Sequence, residues 1–116
     1  MTDGCVFCDI VAGKFGTKFV HDDGAIVAFD DMHPIAPKHV LVVPREHYPD
    51  LPAVAASSGA PALLGRLLAV AAKVGESMIA DGGYRVVVNT GPQAGQTVFH
   101  VHVHVLSGRH FAWPPG

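Results

Sequence analysis

The sequence predicts an α+β domain in which a largely antiparallel sheet carries one long helix on one face. The chain has 116 residues, which suits a single domain and leaves no room for two ordinary ones. One long segment with helical spacing lies between two groups of short, apolar, strand-like segments. This order differs from the strand–helix alternation of a parallel doubly wound sheet. We therefore expect residues 1–116 to form one domain with antiparallel strands.

The individual elements follow from apolar spacing and from chain breakers. A short amphipathic pattern at residues 8–12, ending near Gly13, predicts a helical turn. Apolar and β-branched runs predict strands at residues 19–21, 25–29, 39–43, 84–89 and 98–106. Helical spacing predicts the long helix at residues 61–80, because Pro61 suits a first turn and Gly82-Gly83 a stop.

Composition excludes several classes of protein. Charged residues make up 16% of the chain, against a usual share of about 25%. Lys and Arg total 8 and Asp and Glu total 10, so we expect no nucleic-acid partner bound by bulk positive charge. No apolar run reaches the roughly 20 residues that span a bilayer, and the first residues lack the pattern of a signal peptide. We expect a cytoplasmic protein with no membrane partner.

Histidine is unusually frequent, with 8 residues against 8 Lys and Arg together. His100, His102 and His104 alternate with valines, so a strand places all three imidazoles on one face. The row would span about 13 Å, which suits a string of phosphates better than one zinc ion with bonds of about 2.1 Å. Imidazole can attack phosphorus when neutral and donate a proton when charged. The alternative is a half-exposed strand whose polar face happens to be histidine.

The two cysteines form a Cys5-x-x-Cys8 pair near the N-terminus. A cytoplasmic location would keep them reduced, and no strand–helix–strand unit surrounds them as in thioredoxin-like proteins. They are therefore either metal ligands or two ordinary buried thiols. A structural zinc site would need two further ligands.

Residues 100–106, His-Val-His-Val-His-Val-Leu, resemble the signature of the histidine triad (HIT) family. The resemblance covers nearly the whole chain through further short blocks. These blocks are Phe29-Asp30-Asp31-Met32, Ala36-Pro37-Lys38-His39, Val43-Pro44-Arg45-Glu46-His47, Asn89-Thr90-Gly91 and Gly95-Gln96-Thr97. The ending Trp113-Pro114-Pro115-Gly116 is similar to the histidine triad nucleotide-binding branch, whose members are purine nucleoside phosphoramidases. The fragile histidine triad branch, which cleaves dinucleoside polyphosphates, is the nearer competitor.

The resemblance implies a HIT-like fold and a role for each matching residue. It implies about five antiparallel strands, one long helix, a short N-terminal helix and a homodimer that forms one continuous sheet. It makes His102 the nucleophile, with His104, His39 and Thr97 as its catalytic partners. The implied nucleotide contacts are Asp31 at the ribose and Met32 at the base. The other implied nucleotide-binding residues are Asn89, Gly95, Gln96, Thr97, His102 and His104.

Some of these residues also have ordinary interpretations. Backbone N–H groups near Gly95 and Gln96 could approach phosphate because glycine has no Cβ. His39 could instead be a capped core histidine, Asp31 part of a solvated turn, and Asn89 a turn former.

The resemblance also extends to a metal site. Some bacterial members complete a zinc site with a histidine after a strand end and with the first triad histidine, here His47 and His100. With Cys5 and Cys8, the implied set is a Cys2His2 structural zinc. Four protein ligands leave no open position, so we expect no catalytic metal, and no organic cofactor is implied.

The expected function is hydrolysis of purine nucleoside 5′-phosphoramidates, or of related nucleotide P–N and P–O bonds, through a nucleotidyl-His102 intermediate. The partner would be a purine nucleotide, as substrate or product. One alternative is a dinucleoside polyphosphate hydrolase. The other is a nucleotide-binding regulatory protein with vestigial catalysis, against which stand the retained triad, His39 and Thr97.

Overall fold

A computed structural model describes residues 4–116 of the chain. Its helices are α1 (Val6–Val11), α2 (Leu51–Ala55) and α3 (Ala60–Glu76), with short 3-10 turns at Ile79–Asp81 and Pro92–Ala94. Its strands are β1 (His21–Asp22), β2 (Ile26–Asp30), β3 (Lys38–Pro44), β4 (Tyr84–Val87) and β5 (Val103–Ser107). The predicted α+β class is therefore confirmed.

The five strands form one antiparallel sheet in the order β1-β2-β3-β5-β4. The last strand of the chain, β5, thus lies between β3 and β4. Its register places His104 opposite Leu41 and Leu106 opposite His39. Because opposite residues of an antiparallel pair share a face, His39 and His104 lie on the same side of the sheet.

Each face of the sheet packs against a different helix. One core contains α3, with Leu67, Val70 and Ala71 against Val40 and Val42 of β3. The other contains α1, with Phe7, Cys8 and Ile10 against Leu41 and Val43 of β3. The alternation of side chains along β3 supplies both cores, and the histidines belong to the α1 face.

The long helix is shorter than predicted. It ends at Glu76 instead of Ala80, and a 3-10 turn follows at Ile79–Asp81. Gly75 permits close packing on β4, because a Cβ there would lie 2.6 Å from the Tyr84 ring. No helix within residues 4–116 has the length and apolar character needed to cross a bilayer.

Strand β5 begins at Val103, five residues later than predicted, so His100 and His102 lie in the extended segment before it. The pairing of β3 with β5 stops at Val42 and Val103. Two residues further along β3 is Pro44, which has no N–H to donate to a ladder. Its carbonyl oxygen instead accepts a hydrogen bond of 2.7 Å from Nε2 of His100.

Helix α2 has no counterpart in the sequence prediction. Asp50 caps it by accepting a hydrogen bond of 2.9 Å from the N–H of Ala53, and a proline occupies its first turn. Both are ordinary helix-start signals, but five residues are too few for a periodic apolar pattern to appear.

Candidate active site and metal centre

His102 is buried on the α1 face with its two ring nitrogens in different environments. Nδ1 lies 2.8 Å from the carbonyl oxygen of His100. A carbonyl oxygen only accepts, so Nδ1 carries the hydrogen and Nε2 of the neutral ring keeps its lone pair. Burial lowers the pKa of His102 below its ordinary value. The ring is therefore held as a neutral imidazole with Nε2 available to attack.

His39 and His104 form a hydrogen-bonded pair beside it. The N–H of Ile35 donates to Nδ1 of His39 over 3.2 Å, which leaves the hydrogen of neutral His39 on Nε2. That Nε2 lies 2.9 Å from Nδ1 of His104, which accepts, so His104 presents its own hydrogen on Nε2. Burial, together with neighbouring His102 and His39, lowers the pKa of His104 to about 4.

Asp31 lies at the same end of the sheet. One carboxylate oxygen accepts from the N–H of His33 at 2.8 Å, and the other is 3.4 Å from Nε2 of His39. Ligand atoms of Asp31, His39 and His104 lie within 4.8 Å of one another. The N–H of Ile35 keeps a hydrogen on Nε2 of His39, however, and a metal ion would need the lone pair of that atom. Of these three residues, His104 has the Nε2–H that can donate to an anion, because the Asp31 carboxylate only accepts and the Nε2–H of His39 donates to His104.

A second cluster lies at the other end of the triad and joins Cys5, Cys8, His47 and His100. Nδ1 of His100 is 3.4 Å from Sγ of Cys5 and 3.5 Å from Sγ of Cys8. Nδ1 of His47 is 3.4 Å from Sγ of Cys8 and 3.2 Å from Nδ1 of His100. Tetrahedral zinc with ordinary bond lengths separates S and N ligands by about 3.6 Å and two N ligands by about 3.3 Å. The cluster therefore has the dimensions of a zinc site.

The protonation pattern of the cluster also fits a metal. Nε2 of His100 donates to the Pro44 carbonyl oxygen at 2.7 Å, so Nδ1 turns a lone pair toward the cluster. Burial lowers the pKa of His100, which keeps its ring neutral. Burial raises the pKa of the Cys5 thiol, so a bound cation would be needed to hold it as thiolate. Residues of the types that bind structural zinc thus converge here with suitable geometry.

The loop before the triad is held by the side chain of Gln96, which is 3% exposed. Its Oε1 accepts from the N–H of Gly91 at 2.9 Å, and its Nε2 donates to the carbonyl oxygens of Pro49 and Val98 at 2.8 and 3.1 Å. The backbone N–H groups of Gly95 and Gln96 donate to Pro92 and Gly91, each at 3.1 Å.

This loop geometry corrects one expectation. The N–H groups of Gly95 and Gln96 are not presented to a phosphate, because the 3-10 turn at Pro92–Ala94 already uses them. Gly95 contributes through its left-handed backbone, with φ of +97°, which closes the turn. The two residues shape the loop that carries Thr97.

The other predicted nucleotide contacts lie at the surface or partly buried. Thr97 is exposed and lines a cavity of about 430 Å³ together with Cys5, His47 and Phe99. Met32 is 85% exposed. Asn89 is half-buried beside Gly95, its Nδ2 3.6 Å from where a Cβ would lie. The structure thus brings together His39, His102, His104 and Asp31, while Met32 faces solvent.

Two contributors to the site were missed by sequence reasoning. The ring of Phe7 contacts that of His102 edge-on, with centroids 5.0 Å apart. Its position between the two cysteines was the only available signal. The N–H of Ile35, which orients His39, is a backbone group, and no residue type in the sequence could indicate it.

Comparison with known proteins settles the family. The HIT domain family matches residues 13–111 of the chain. The chain belongs to the HIT family. A HIT family hydrolase from Legionella pneumophila Philadelphia 1 is 36% identical with a TM-score of 0.89, over 97% of this chain and 100% of that chain. The predicted family and fold are confirmed, and the chain is similar to hydrolases of this family.

Two further HIT relatives carry more specific names. A protein of Zea mays named "14 kDa zinc-binding protein" is 38% identical over 111 residues, which cover 96% of this chain and 87% of the relative. A histidine triad nucleotide-binding protein from Candida albicans is 29% identical with a TM-score of 0.77, over 96% of this chain and 83% of that chain. Relatives of this HIT protein thus include a protein named for zinc and one named for nucleotide binding.

Proposed function

We propose that this HIT protein hydrolyses purine nucleoside 5′-phosphoramidates, or related nucleotide P–N and P–O bonds, through a nucleotidyl-His102 intermediate. The observation that carries the proposal is the hydrogen bond of 2.8 Å between Nδ1 of His102 and the His100 carbonyl oxygen. It leaves Nε2 of a buried, neutral imidazole as a nucleophile. The similarity to HIT family hydrolases supports the same class of reaction.

In the first step Nε2 of His102 attacks the α-phosphorus. A P–N bond to Nε2 of His102 forms while the P–N bond to the leaving amine breaks, and the amine takes up one proton from solvent water, relayed by the Thr97 hydroxyl. The Nε2–H of His104 donates a hydrogen bond to a non-bridging oxygen and stabilises the negative charge of the transition state. His39 orients that ring by donating its own Nε2–H to Nδ1 of His104 over 2.9 Å. Water then attacks the phosphorus as the P–N bond to His102 breaks, and the proton that the water loses returns to solvent. This releases the nucleoside monophosphate and restores neutral His102.

The nucleotide would bind along the same end of the sheet. Asp31 is proposed to hold the ribose hydroxyls, since its carboxylate oxygens have lone pairs beyond those used by His33 and His39. Met32, exposed beside it, would cover the purine. Asn89 and the loop of Gly95, Gln96 and Thr97 would bound the phosphate side of the site.

We further propose that Cys5, Cys8, His47 and His100 hold a structural zinc ion. The distances in the cluster and the converging lone pairs support this, as does the name of the Zea mays relative. Zinc, when bound, would supply a crosslink between α1 and the segment that carries the triad. The reaction itself would need no catalytic metal and no organic cofactor.

The proposed assembly is a cytoplasmic homodimer with a purine nucleotide as its ligand and no membrane or nucleic-acid partner. Strand β4 is an edge strand of the sheet, and Val86 on it is 38% exposed. Pairing of β4 with its copy in a second chain would extend the sheet and cover that edge.

The experiment that tests the reaction compares the steady-state kinetics of the wild type, His102→Ala and His110→Ala. The substrates are adenosine and guanosine phosphoramidates, dinucleoside polyphosphates and nucleotide sugars. We expect the wild type to have its highest kcat/KM on a phosphoramidate. His102→Ala should lower kcat on the order of 10⁴-fold or more, while the control His110→Ala, at an exposed tail residue, should match the wild type. A His102→Ala protein that keeps a tenth of the activity would contradict the assignment.

A further inference from the structure

We infer that the Cys5–Cys8–His47–His100 cluster sets the orientation of His102, and that Phe7 is the positioning residue that transmits its state. The inference rests on the proposed function, because it takes His102 as the nucleophile and the cluster as a metal site. It goes beyond that proposal by giving the metal centre a role in turnover in addition to its role in folding. Two separate sets of contacts join the cluster to His102.

The first connection runs through His100. Its Nδ1 belongs to the cluster, its Nε2 donates to the Pro44 carbonyl oxygen at 2.7 Å, and its own carbonyl oxygen accepts from Nδ1 of His102 at 2.8 Å. A metal bound at Nδ1 would fix the ring of His100 at both nitrogens. The backbone oxygen that selects the tautomer of His102 would then be fixed as well.

The second connection runs through α1. Cys5 caps this helix, with Sγ accepting from the N–H of Cys8 at 3.2 Å, so both thiols lie within its first turn. Phe7 stands between them in the chain. Phe7 is 7% exposed. Its ring centroid lies 5.0 Å from that of His102, with the ring planes at 86°, and 6.0 Å from that of His100, with the planes at 68°. The ring of Phe7 thus forms one wall of the space that His102 occupies.

Helix α1 depends on external contacts for its position. It has six residues, far fewer than a helix needs to be stable alone. A metal that joins Cys5 and Cys8 to His47 and His100 would anchor its first turn to the remainder of the protein. Without that anchor, Phe7 would withdraw and His102 would be free to rotate or to move its hydrogen to Nε2.

The consequence is specific for the chemical step. A His102 ring with its hydrogen on Nε2 has no lone pair directed at the phosphorus. The residues proposed to bind the nucleotide, Asp31, His39 and His104, make no contact with Phe7 among the ring and hydrogen-bond contacts of residues 4–116. Loss of the Phe7 contact should therefore lower kcat and leave KM nearly unchanged.

The test uses ¹⁵N-histidine-labelled protein at one fixed pH, with long-range ¹H–¹⁵N spectra that report the tautomer of His102. The proteins are the wild type, Phe7→Leu and the matched control Phe19→Leu. Phe19 borders the same core and has no ring contact with a histidine among the described residues. Zinc content is measured for each protein, and the wild type is also recorded after removal of zinc by a chelator.

We expect zinc-loaded wild type and Phe19→Leu to show His102 with its hydrogen on Nδ1 alone. Phe7→Leu, still zinc-loaded, should show averaged tautomers and a kcat lowered about tenfold, with KM changed by less than about twofold. Zinc-free wild type should show the same averaging. Phe7→Met serves as a milder variant should Phe7→Leu not fold, and the chelated wild type needs no substitution.

Three outcomes separate the inference from the proposed function. The first outcome starts from a wild type that is active and loaded with zinc. If neither Phe7→Leu nor removal of zinc changes the His102 tautomer or kcat, the inference alone is overturned. A wild type that turns over no nucleotide in the substrate panel would overturn the proposed function and the inference with it. An active wild type that binds no zinc would overturn the proposed zinc site and the inference, and would leave the proposed reaction standing.

Discussion

The two faces of the sheet are built from the same strands but have different compositions. The α3 face is aliphatic, with Val40 and Val42 of β3 against Leu67 and Ala71 of the helix. The α1 face contains cysteines and histidines among its apolar residues, including His39 on the same strand β3. Because side chains alternate along a strand, one segment can supply a dry core on one side and polar chemistry on the other.

The polar side chains buried on the α1 face need hydrogen-bond partners. Among the described residues, every buried side-chain nitrogen and oxygen has a hydrogen-bond partner. The histidines achieve this by bonding to one another or to backbone groups, as His39 does with Ile35 and His104. We therefore expect substitutions of His39, His102 and His104 on the α1 face to act mainly on activity and substitutions on the α3 face to act mainly on stability.

The largest expected effect is the loss of catalytic activity when a histidine of the α1 face is replaced. His104→Asn removes the Nε2–H directed at the phosphate oxygens, so kcat/KM should fall about 10²- to 10³-fold. Its melting temperature should stay close to that of the wild type, because Asn can still accept from His39. The measurements are steady-state kinetics and calorimetry, with His110→Asn as the control. A fall in kcat/KM of less than threefold would show that His104 does not contact the transition state.

The matching change on the α3 face is Leu67→Ala. Leu67 is 2% exposed, and removing a buried leucine side chain costs about 2–5 kcal/mol. Leu68→Ala, the next residue on the same helix but 56% exposed, should cost under about 0.5 kcal/mol. Denaturant unfolding gives both values. Where Leu67→Ala is still folded, a kcat much lower than that of the wild type would break the separation of the two faces.

Metal removal tests stability on the α1 face. A ligand at 100 to 1,000 times its Kd stabilises the folded state by about 3–4 kcal/mol. Zinc-loaded protein should therefore melt higher than chelated protein, whereas Cys8→Ser should show little difference on chelation. An equal melting temperature with and without stoichiometric zinc would mean that the cluster does not stabilise the fold.

Lowering the pH should destabilise the protein through the buried histidines of the α1 face, and not through the aliphatic α3 face. Burial lowers the pKa of His39 and His102, and that of His104 to about 4, so the unfolded chain binds more protons than the folded one between pH 4 and 6.5. The free energy of unfolding should accordingly fall as pH drops below about 6.5. For the same reason, the acid limb of kcat/KM should lie below pH 6.5. Stability in His104→Asn should be less sensitive to acid, and an unchanged pH dependence would contradict this.

The smallest expected effect lies outside both cores. Asp50 caps α2 through the N–H of Ala53, and loss of such a cap costs about 1 kcal/mol. Asp50→Ala should lower the melting temperature slightly with kcat unchanged, while Asp50→Asn should restore most of the loss. A large fall in activity would mean that α2 positions the nearby Gln96 loop.

The sequence predicted the parts of the structure that depend on residue type and period. The alternation of histidine and valine placed His102 and His104 on one face, and helical spacing located α3. Family resemblance, rather than spacing alone, joined His47 and His100 to the two cysteines. These predictions succeeded because each depends on a local pattern or on a shared motif.

The features that could not be predicted from the sequence depend on contacts that form only in the folded chain. Strand β5 starts at Val103 because Pro44, 59 residues earlier, ends the neighbouring ladder. The N–H groups of Gly95 and Gln96 are used within their own turn, which residue type could not reveal. The ring of Phe7 reaches His102 only because α1 folds back over the sheet.

The most direct test of the central claim is the identity of the covalent intermediate. Protein mixed with adenosine phosphoramidate, quenched in alkali at the time of turnover and digested, should carry one nucleotidyl group on the peptide that contains His102. That group should disappear at the rate at which nucleoside monophosphate is formed, and it should be absent from His102→Ala. A nucleotidyl group on another residue, or turnover with no enzyme-bound nucleotide at any time, would contradict the account.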